Sequence, residues 1–262
     1  MGRDEMISSV CIVTRTRDRP AALSRALGDV LAQRFQDWQL VLVNDAGNAR
    51  KVEETLEPYR ARFGGRCHVL HREHSTGQGA AANFAIANSK SRYLVLHDDD
   101  DSWHPDFLLR CVERLEAESA YGGVATGAAR LFERFDGERF TETGREPMLA
   151  LSEPITLRLL QRRNLWPPIA FVYARAAAET IGPYRDDVRT LAVWEFNVRF
   201  ARKFRIAAIP DVLAFWHIRR GQAANHSYAN MAYRGHLDDL MKLKREWGQI
   251  PPLWRYLLWW RY

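Results

Sequence analysis

Cysteine is scarce: the 262 residues contain three, Cys11, Cys67 and Cys111. Their scatter has no metal-ligand spacing, and two of them sit in apolar stretches. That excludes a disulfide framework and fits buried thiols in a reducing compartment. No apolar run approaches the ~20 residues needed to cross a bilayer, and Met1-Gly2-Arg3-Asp4-Glu5 carries no signal-peptide core. The expected location is therefore cytoplasmic. There is no internal repeat, no low-complexity tract and no composition shift that would divide the chain. The first apolar stretch is not followed by G-x-G-x-x-G, which argues against a dehydrogenase-type dinucleotide site. The loop that does follow it, Arg15 to Arg19, has neither glycine nor lysine, so a glycine- and lysine-rich phosphate loop is missing as well.

What is present is ordinary for a globular chain: 47% hydrophobic and 27% charged residues, enough for one large α/β domain or two small ones. The net charge of +6 and a pI near 9.4 favour phosphate-bearing ligands, nucleic acid or an anionic surface without choosing among them.

The sharpest local signal is Tyr93-Leu94-Val95-Leu96 running into His97-Asp98-Asp99-Asp100-Asp101 and a turn closed by Pro105. A short apolar run closed by turn residues reads as a buried strand. Four successive carboxylates at its end repel one another and raise each other's pKa. A divalent cation with oxygen ligands would remove that cost; a solvated acidic loop capping the next helix is the plainer reading.

Upstream, strands are expected at Ser9–Thr14, Gln39–Val43 and Cys67–Leu70. Helices are expected after Pro20, through Val52–Phe63 and over Ala80–Ser89. Strand and helix alternate four times, which predicts a mostly parallel sheet with helices on both faces. Ligands of such sheets sit outside the carboxyl ends of the strands. Four polar or glycine-rich loops converge there: Arg15–Arg19, Asn44-Asp45, Ser75–Gly79 and Asp98–Asp101. Further on, helices are expected at Asp106–Ala117, Ile155–Arg163, Arg175–Ile181 and Val193–Phe204. Strands are expected around Gly123–Gly127, Ala129–Phe132, Pro167–Tyr173, Ile206–Ile209 and Val212–His217, and loop between Asp136 and Pro154.

Taken in order, Val13-Thr14-Arg15-Thr16-Arg17-Asp18-Arg19-Pro20, Val43-Asn44-Asp45-Ala46-Gly47, Gly77–Asn83, Leu96–Pro105 and Trp194–Phe200 resemble the family-2 inverting glycosyltransferases of the A-type fold. The polysaccharide and rhamnosyl-type branch is the nearest in pattern, and the likeness runs from about Ser9 to Asn230. The resemblance implies a glycosyltransferase domain over residues 1–230, with a nucleotide-sugar half to about residue 101 and an acceptor half at 102–230. It implies a UDP- or dTDP-sugar donor, a bacterial surface glycan or lipid-linked acceptor, Mn²⁺ or Mg²⁺, and no nucleic acid.

By the same resemblance Thr14, Arg15 and Arg19 line the donor pocket, and Asp45 accepts from the base edge. Gly77 and Gly79 let the backbone approach the donor. Asn83 lines the pocket, with a core-capping role as the alternative. Asp98 contacts ribose or the metal shell and Asp100 the metal, with Asp99 and Asp101 behind them or facing solvent. His217 is the candidate late metal ligand, and Arg219 and Arg220 a flap over the diphosphate pivoting at Gly221. The base of such enzymes falls six residues before the arginine matched by Arg199, where this chain has Val193. Glu195 is then the surviving candidate base, with Asp187 in the preceding loop behind it. A non-catalytic nucleotide-sugar-binding protein is the rival reading.

Residues 231–262 form a helical tail. Its end, Trp254–Tyr262, interleaves aromatics with Arg255 and Arg261, a pattern suited to a peripheral membrane contact. A helix folded back on the domain and a homodimer contact are the alternatives.

Overall fold

The computed structural model describes residues 8–219 and 233–249. Its first half is the expected alternation. Strand β1 (Val10–Thr16) leads to α1 (Pro20–Leu31), β2 (Trp38–Asp45), α2 (Ala49–Leu56), the single turn α3 (Arg60–Phe63), β3 (Cys67–Arg72), α4 (Gln78–Ala87) and β4 (Tyr93–Leu96). Strands β1, β2 and β4 are nearly unbroken apolar runs because helices cover both faces of a parallel sheet; Val10 to Val13 and Leu40 to Val43 have no exposed surface. Pro20 opens α1, where a missing N–H costs nothing, and Leu23, Leu27 and Val30 bury one face of the helix.

The second half continues through β5 (Ser102–Trp103), α5 (Phe107–Ala117), β6 (Tyr121–Phe135), β7 (Phe140–Pro147), α6 (Leu157–Arg162), β8 (Phe171–Ala174), α7 (Arg175–Ile181), α8 (Ala192–Ala201), β9 (Arg205–Ile218) and α9 (Tyr233–Glu246). Along the sheet the order is β3-β2-β1-β4-β8-β6-β9-β5, with β7 paired to β6. Strands β3, β2, β1 and β4 are mutually parallel. Beyond β4 the pairing turns mixed: β8 is antiparallel to β4 and β6, β9 is parallel to β6, and β5 is antiparallel to β9. The parallel character inferred from sequence therefore belongs to the first half of the sheet.

Two stretches depart from the expected elements, and helix α9 takes one of the alternatives expected for the tail. The stretch from Arg205 to Ile218 is one strand, and its register against β6 shifts between Ile209 and Val212; that irregularity is what split it into two apolar runs in sequence. Strand β7 lies where loop was expected. It pairs with β6 but buries none of its residues, so it shows no alternation of apolar and polar side chains to read. Helix α9 folds back on the domain, with Leu240 and Leu243 buried in the common core. Asp239 caps the start of α8 by accepting from Thr190 N at 2.6 Å and Thr190 Oγ1 at 2.8 Å. The aromatic end Trp254–Tyr262 and the residues Arg220 and Gly221 lie outside the described residues.

Candidate active site

The carboxyl ends of β1, β2 and β4 meet at one edge, and the acidic turn after β4 is its centre. The turn is braced at both ends by α1. Asp29 Oδ2 lies 2.8 Å from His97 Nε2 and accepts from Trp103 N at 2.8 Å. The His97 ring meets Trp103 edge-on at 4.2 Å.

Buried carboxylates need counter-charge, and arginines of the first loop supply it. Arg15 Nε donates to Asp98 Oδ1 at 2.9 Å, joined by Nη2, while Nη1 donates to Gln78 O at 2.8 Å. Arg19 donates to both oxygens of Asp99 and, through Nη1, to Asp100 Oδ2 at 3.0 Å. Thr16 Oγ1 donates to Asp99 Oδ2 at 2.6 Å. The two arginines were expected to face a ligand or solvent; their present partners include three of the four acids, Asp98, Asp99 and Asp100. Thr14 is buried within β1, and its hydroxyl has no hydrogen-bond partner among the described residues.

A second layer comes mainly from the far half of the chain; sequence reasoning named Arg219 and His217 in it but missed Glu133 and Arg25. Arg219 Nη2 donates to Asp100 Oδ2 at 2.6 Å, and its Nη1 donates to Glu133. Arg25 reaches Glu133 Oε2 at 2.8 Å and the Asp100 carbonyl at 2.7 Å. His217 N donates to Asp101 Oδ1 at 2.9 Å; the ring pairs with Glu133 Oε2 at 2.8 Å through Nδ1 and with Ser102 Oγ at 2.7 Å through Nε2. The missed signal was alternation: Leu131, Glu133 and Phe135 share the inward face of β6, so an acid stands on an apolar stripe.

The titration of the cluster follows from these contacts. Burial pushes Asp99 up to about 6; Arg19 opposes the rise and Asp100 adds to it. Burial and the neighbouring Asp100 and Asp98 raise Asp101 well above the usual range. Burial alone would raise Glu133, but hydrogen bonds from His217 and Arg25 outweigh it and hold the carboxyl at about 2. His217 is lowered by burial, against the pull of Glu133.

Other expected site residues fall into three groups. Asp45, at the end of β2, accepts from Arg72 and from Ser75 Oγ at 2.6 Å. Asn83 takes its alternative role: its Nδ2 donates to Tyr184 O at 2.8 Å and its Oδ1 accepts from Tyr184 N at 2.9 Å, pinning the loop before α8 onto α4. Gly77 precedes α4 with φ of 119°, a conformation that favours glycine. Gly79 is closely packed by its neighbours. A Cβ there would lie 3.1 Å from Tyr184 Cβ and 3.4 Å from Ala192 Cβ, so its small size answers close packing against α8.

Two assignments meet contacts that compete with the expected role. His217 is poorly placed as a metal ligand, because both ring nitrogens are already engaged by Glu133 and Ser102. Asp187 is poorly suited as a base. Hydrogen bonds from Arg185 and Lys242 hold its carboxyl well below the usual range, and a carboxylate stabilised that way is a weak proton acceptor. Arg219, expected in a flap, is fully buried against the acidic turn.

Glu195 and Asp187 both line a cavity of about 710 Å³ between the loop at Ile181–Asp187, α8 and the end of α9. Glu195 is buried there, and both its oxygens accept from Arg199 Nε, at 2.7 and 2.9 Å.

Among the described residues no three His, Cys, Asp or Glu side chains are arranged to hold a metal ion by themselves. Asp98 and Asp100 still fit one in part. Asp98 Oδ2 accepts from no described residue while Oδ1 is held by Arg15, and the two side chains keep 15% and 9% of their surface exposed. Two hard oxygen donors suit Mg²⁺ or Mn²⁺ when substrate phosphates complete the ligand set.

The model of "Glycosyl transferase family 2" matches residues 9–178, the stretch that carries β1 to β4 and the acidic turn. The chain belongs to glycosyltransferase family 2. Among its relatives is the uncharacterized glycosyltransferase YwdF of Bacillus subtilis, 24% identical over 245 residues, covering 92% of this chain and 86% of YwdF. The mannosyltransferase PcManGT from Pyrobaculum calidifontis, solved with GDP-Man and Mn²⁺, superposes with a TM-score of 0.66 at 15% identity, over 95% of this chain and 66% of its own. S. aureus TarS 1-349 in complex with UDP-GlcNAc gives a TM-score of 0.62 at 15% identity, over 91% of this chain and 65% of its own. This chain thus spans just under two thirds of either solved structure. The family-2 glycosyltransferase has the A-type fold, and no helix among its described residues is long and apolar enough to cross a membrane.

Proposed function

We propose that this family-2 glycosyltransferase moves a sugar from a nucleoside-diphosphate donor to an acceptor hydroxyl with inversion, in the assembly of a bacterial glycan or its lipid-linked precursor. The observation that carries the reading is the lattice of Arg15 and Arg19 with Asp98, Asp99 and Asp100 at the carboxyl edge of the sheet, where open α/β sheets bind nucleotides. The donor is a UDP- or dTDP-sugar; GDP-Man and UDP-GlcNAc, named with the two solved neighbours, belong in the same trial.

In this reading Asp45, at the end of β2, accepts from the base, exchanging a bond from Arg72 or Ser75 for the base N–H. Asp98 presents its remaining oxygen to ribose or the diphosphate. Arg15 and Arg19 keep the acidic turn from repelling the incoming phosphates, because Asp98, Asp99 and Asp100 each already face a guanidinium. Asp98 and Asp100 would hold a divalent ion, which when bound neutralises charge on the leaving diphosphate.

Glu195 is the base. It lines the cavity beside Tyr184, and it must exchange an Arg199 bond for the acceptor hydroxyl before it takes the proton. That requirement, together with Val193 at the position where the family resemblance expects the base, is what favours the second reading, a nucleotide-sugar-binding protein without turnover.

A panel of UDP-, dTDP- and GDP-sugars, with and without Mn²⁺, tests the proposal through release of nucleoside diphosphate. Release from at least one donor is expected. Binding of a donor with no release throughout the panel would favour the second reading.

A further inference from the structure

The cavity beside Glu195 is built wholly from residues 181–247, beyond the stretch 9–178 that matches the family. We propose that this cavity is the acceptor site, that it takes a pyranose ring rather than a bare lipid alcohol, and that Trp247 is the face on which the ring stacks. The inference rests on the transferase reading above and adds the place and chemical class of its acceptor.

Three observations carry it. First, the cavity adjoins the donor edge through Tyr184. The Tyr184 backbone is tied to Asn83 of α4 at 2.8 and 2.9 Å, and Gln78, the first residue of that helix, accepts from Arg15 at 2.8 Å. An acceptor seated there lies next to the group that would be transferred.

Second, the lining is mostly charged and already organised. Arg185 donates to Asp187 Oδ2 at 2.7 Å and to Glu246 Oε2 at 2.6 Å, while Arg199 holds Glu195. Fixed guanidinium and carboxylate groups offer a hydroxyl both donors and acceptors, and they give an alkyl chain nothing.

Third, one wall carries an aromatic ring held in place. Trp247 meets the buried Trp194 edge-on, centroids 5.3 Å apart at 71°, and it stays partly exposed to the cavity. A rigid aromatic face beside convergent polar groups recognises a ligand that has both an apolar face and a hydroxyl rim. A pyranose has both. Helix α9 therefore has a functional role: its Glu246 and the following Trp247 close the acceptor side, and Lys242 secures Asp187 at 2.6 Å.

The test uses the full chain and a panel of methyl hexopyranosides and methyl 6-deoxyhexopyranosides, read by ligand-observed saturation-transfer NMR without donor. At least one glycoside is expected to bind. Trp247→Ala is expected to weaken it by about fivefold or more, and Trp247→Phe to retain most of the affinity. Because Trp247 also touches Trp194, Arg202→Ala at the exposed rim serves as a second variant, and it too is expected to weaken binding. No binding by any glycoside, or binding unchanged in both Trp247→Ala and Arg202→Ala, would overturn the proposal. Glycoside binding that depends on Trp247, in a parent protein that binds no nucleotide sugar, would keep the cavity as a sugar site and discard the transferase reading.

Discussion

Arg219 Nη2 donates to Asp100 Oδ2 at 2.6 Å, across 119 positions of sequence. The bond joins the residue after β9 to the acidic turn after β4, and the same guanidinium engages Glu133 on β6. One buried side chain thereby ties the two halves of the sheet together at the site.

Removing that side chain is expected to be costly, since Asp100 and Glu133 would each lose a buried cationic partner. Arg219→Gln should destabilise the fold by about 3 kcal/mol, the scale for breaking a buried ion pair. Urea unfolding measures it. A loss under about 1 kcal/mol would mean that the guanidinium is not buried between the two acids in solution.

Glu133 sets an acid-sensitive stability. Its folded pKa, about 2, lies below the ordinary 4.5, so its contribution is present above pH 4.5 and is lost as pH falls from 4.5 towards 2. Asp99 works the other way in a higher window: raised from 3.8 to about 6, it adds stability as pH falls from 6 towards 3.8. Glu133→Gln should therefore flatten the loss below pH 4.5. Denaturant midpoints of parent and variant across pH 2 to 7 give the comparison. Parallel profiles would contradict the assignment.

The parallel half of the fold was legible because buried strands read as continuous apolar runs and helices as 3.6-residue stripes. The convergence of loops at one edge followed from that alternation alone. The partners of the acidic turn did not follow. Arg15, Arg19 and Arg219 meet acids 80 or more positions away, and local pattern cannot say whether a loop arginine faces solvent, phosphate or a carboxylate. Strand β5 has two residues, too few for any period, and β7 carries no apolar face. Asn83 and Gly79 sat in a motif that pointed towards the donor, yet their contacts are with Tyr184, which only the packing of α8 onto α4 reveals.

Asp45 offers a sharper test of the nucleotide reading. It is held by Arg72 and Ser75 and is proposed to accept from the base. Asp45→Asn should weaken donor binding by about tenfold or more, in line with ~1.5–3 kcal/mol for a hydrogen bond to a charged group. Isothermal titration with the best donor of the panel measures it. Unchanged affinity would move the base-recognition role elsewhere.

The base is tested in a pair. Glu195→Gln should lower the transfer rate by about 10²-fold, the lower end of what a positioned base contributes, with donor affinity retained. Val193→Asp should raise the rate by placing a carboxylate where α8 now presents an aliphatic side chain. Rates unchanged in both variants would remove Glu195 from the mechanism and favour the binding-protein reading.

The central claim is inverting transfer from a nucleotide sugar, and the most direct measurement is time-resolved ¹H NMR of the donor's anomeric proton. With an α-linked UDP-, dTDP- or GDP-sugar, the signal should decay as nucleoside diphosphate appears, and the first-formed sugar product should carry the β configuration. A donor that persists throughout the panel, or a first-formed α product, would contradict the account.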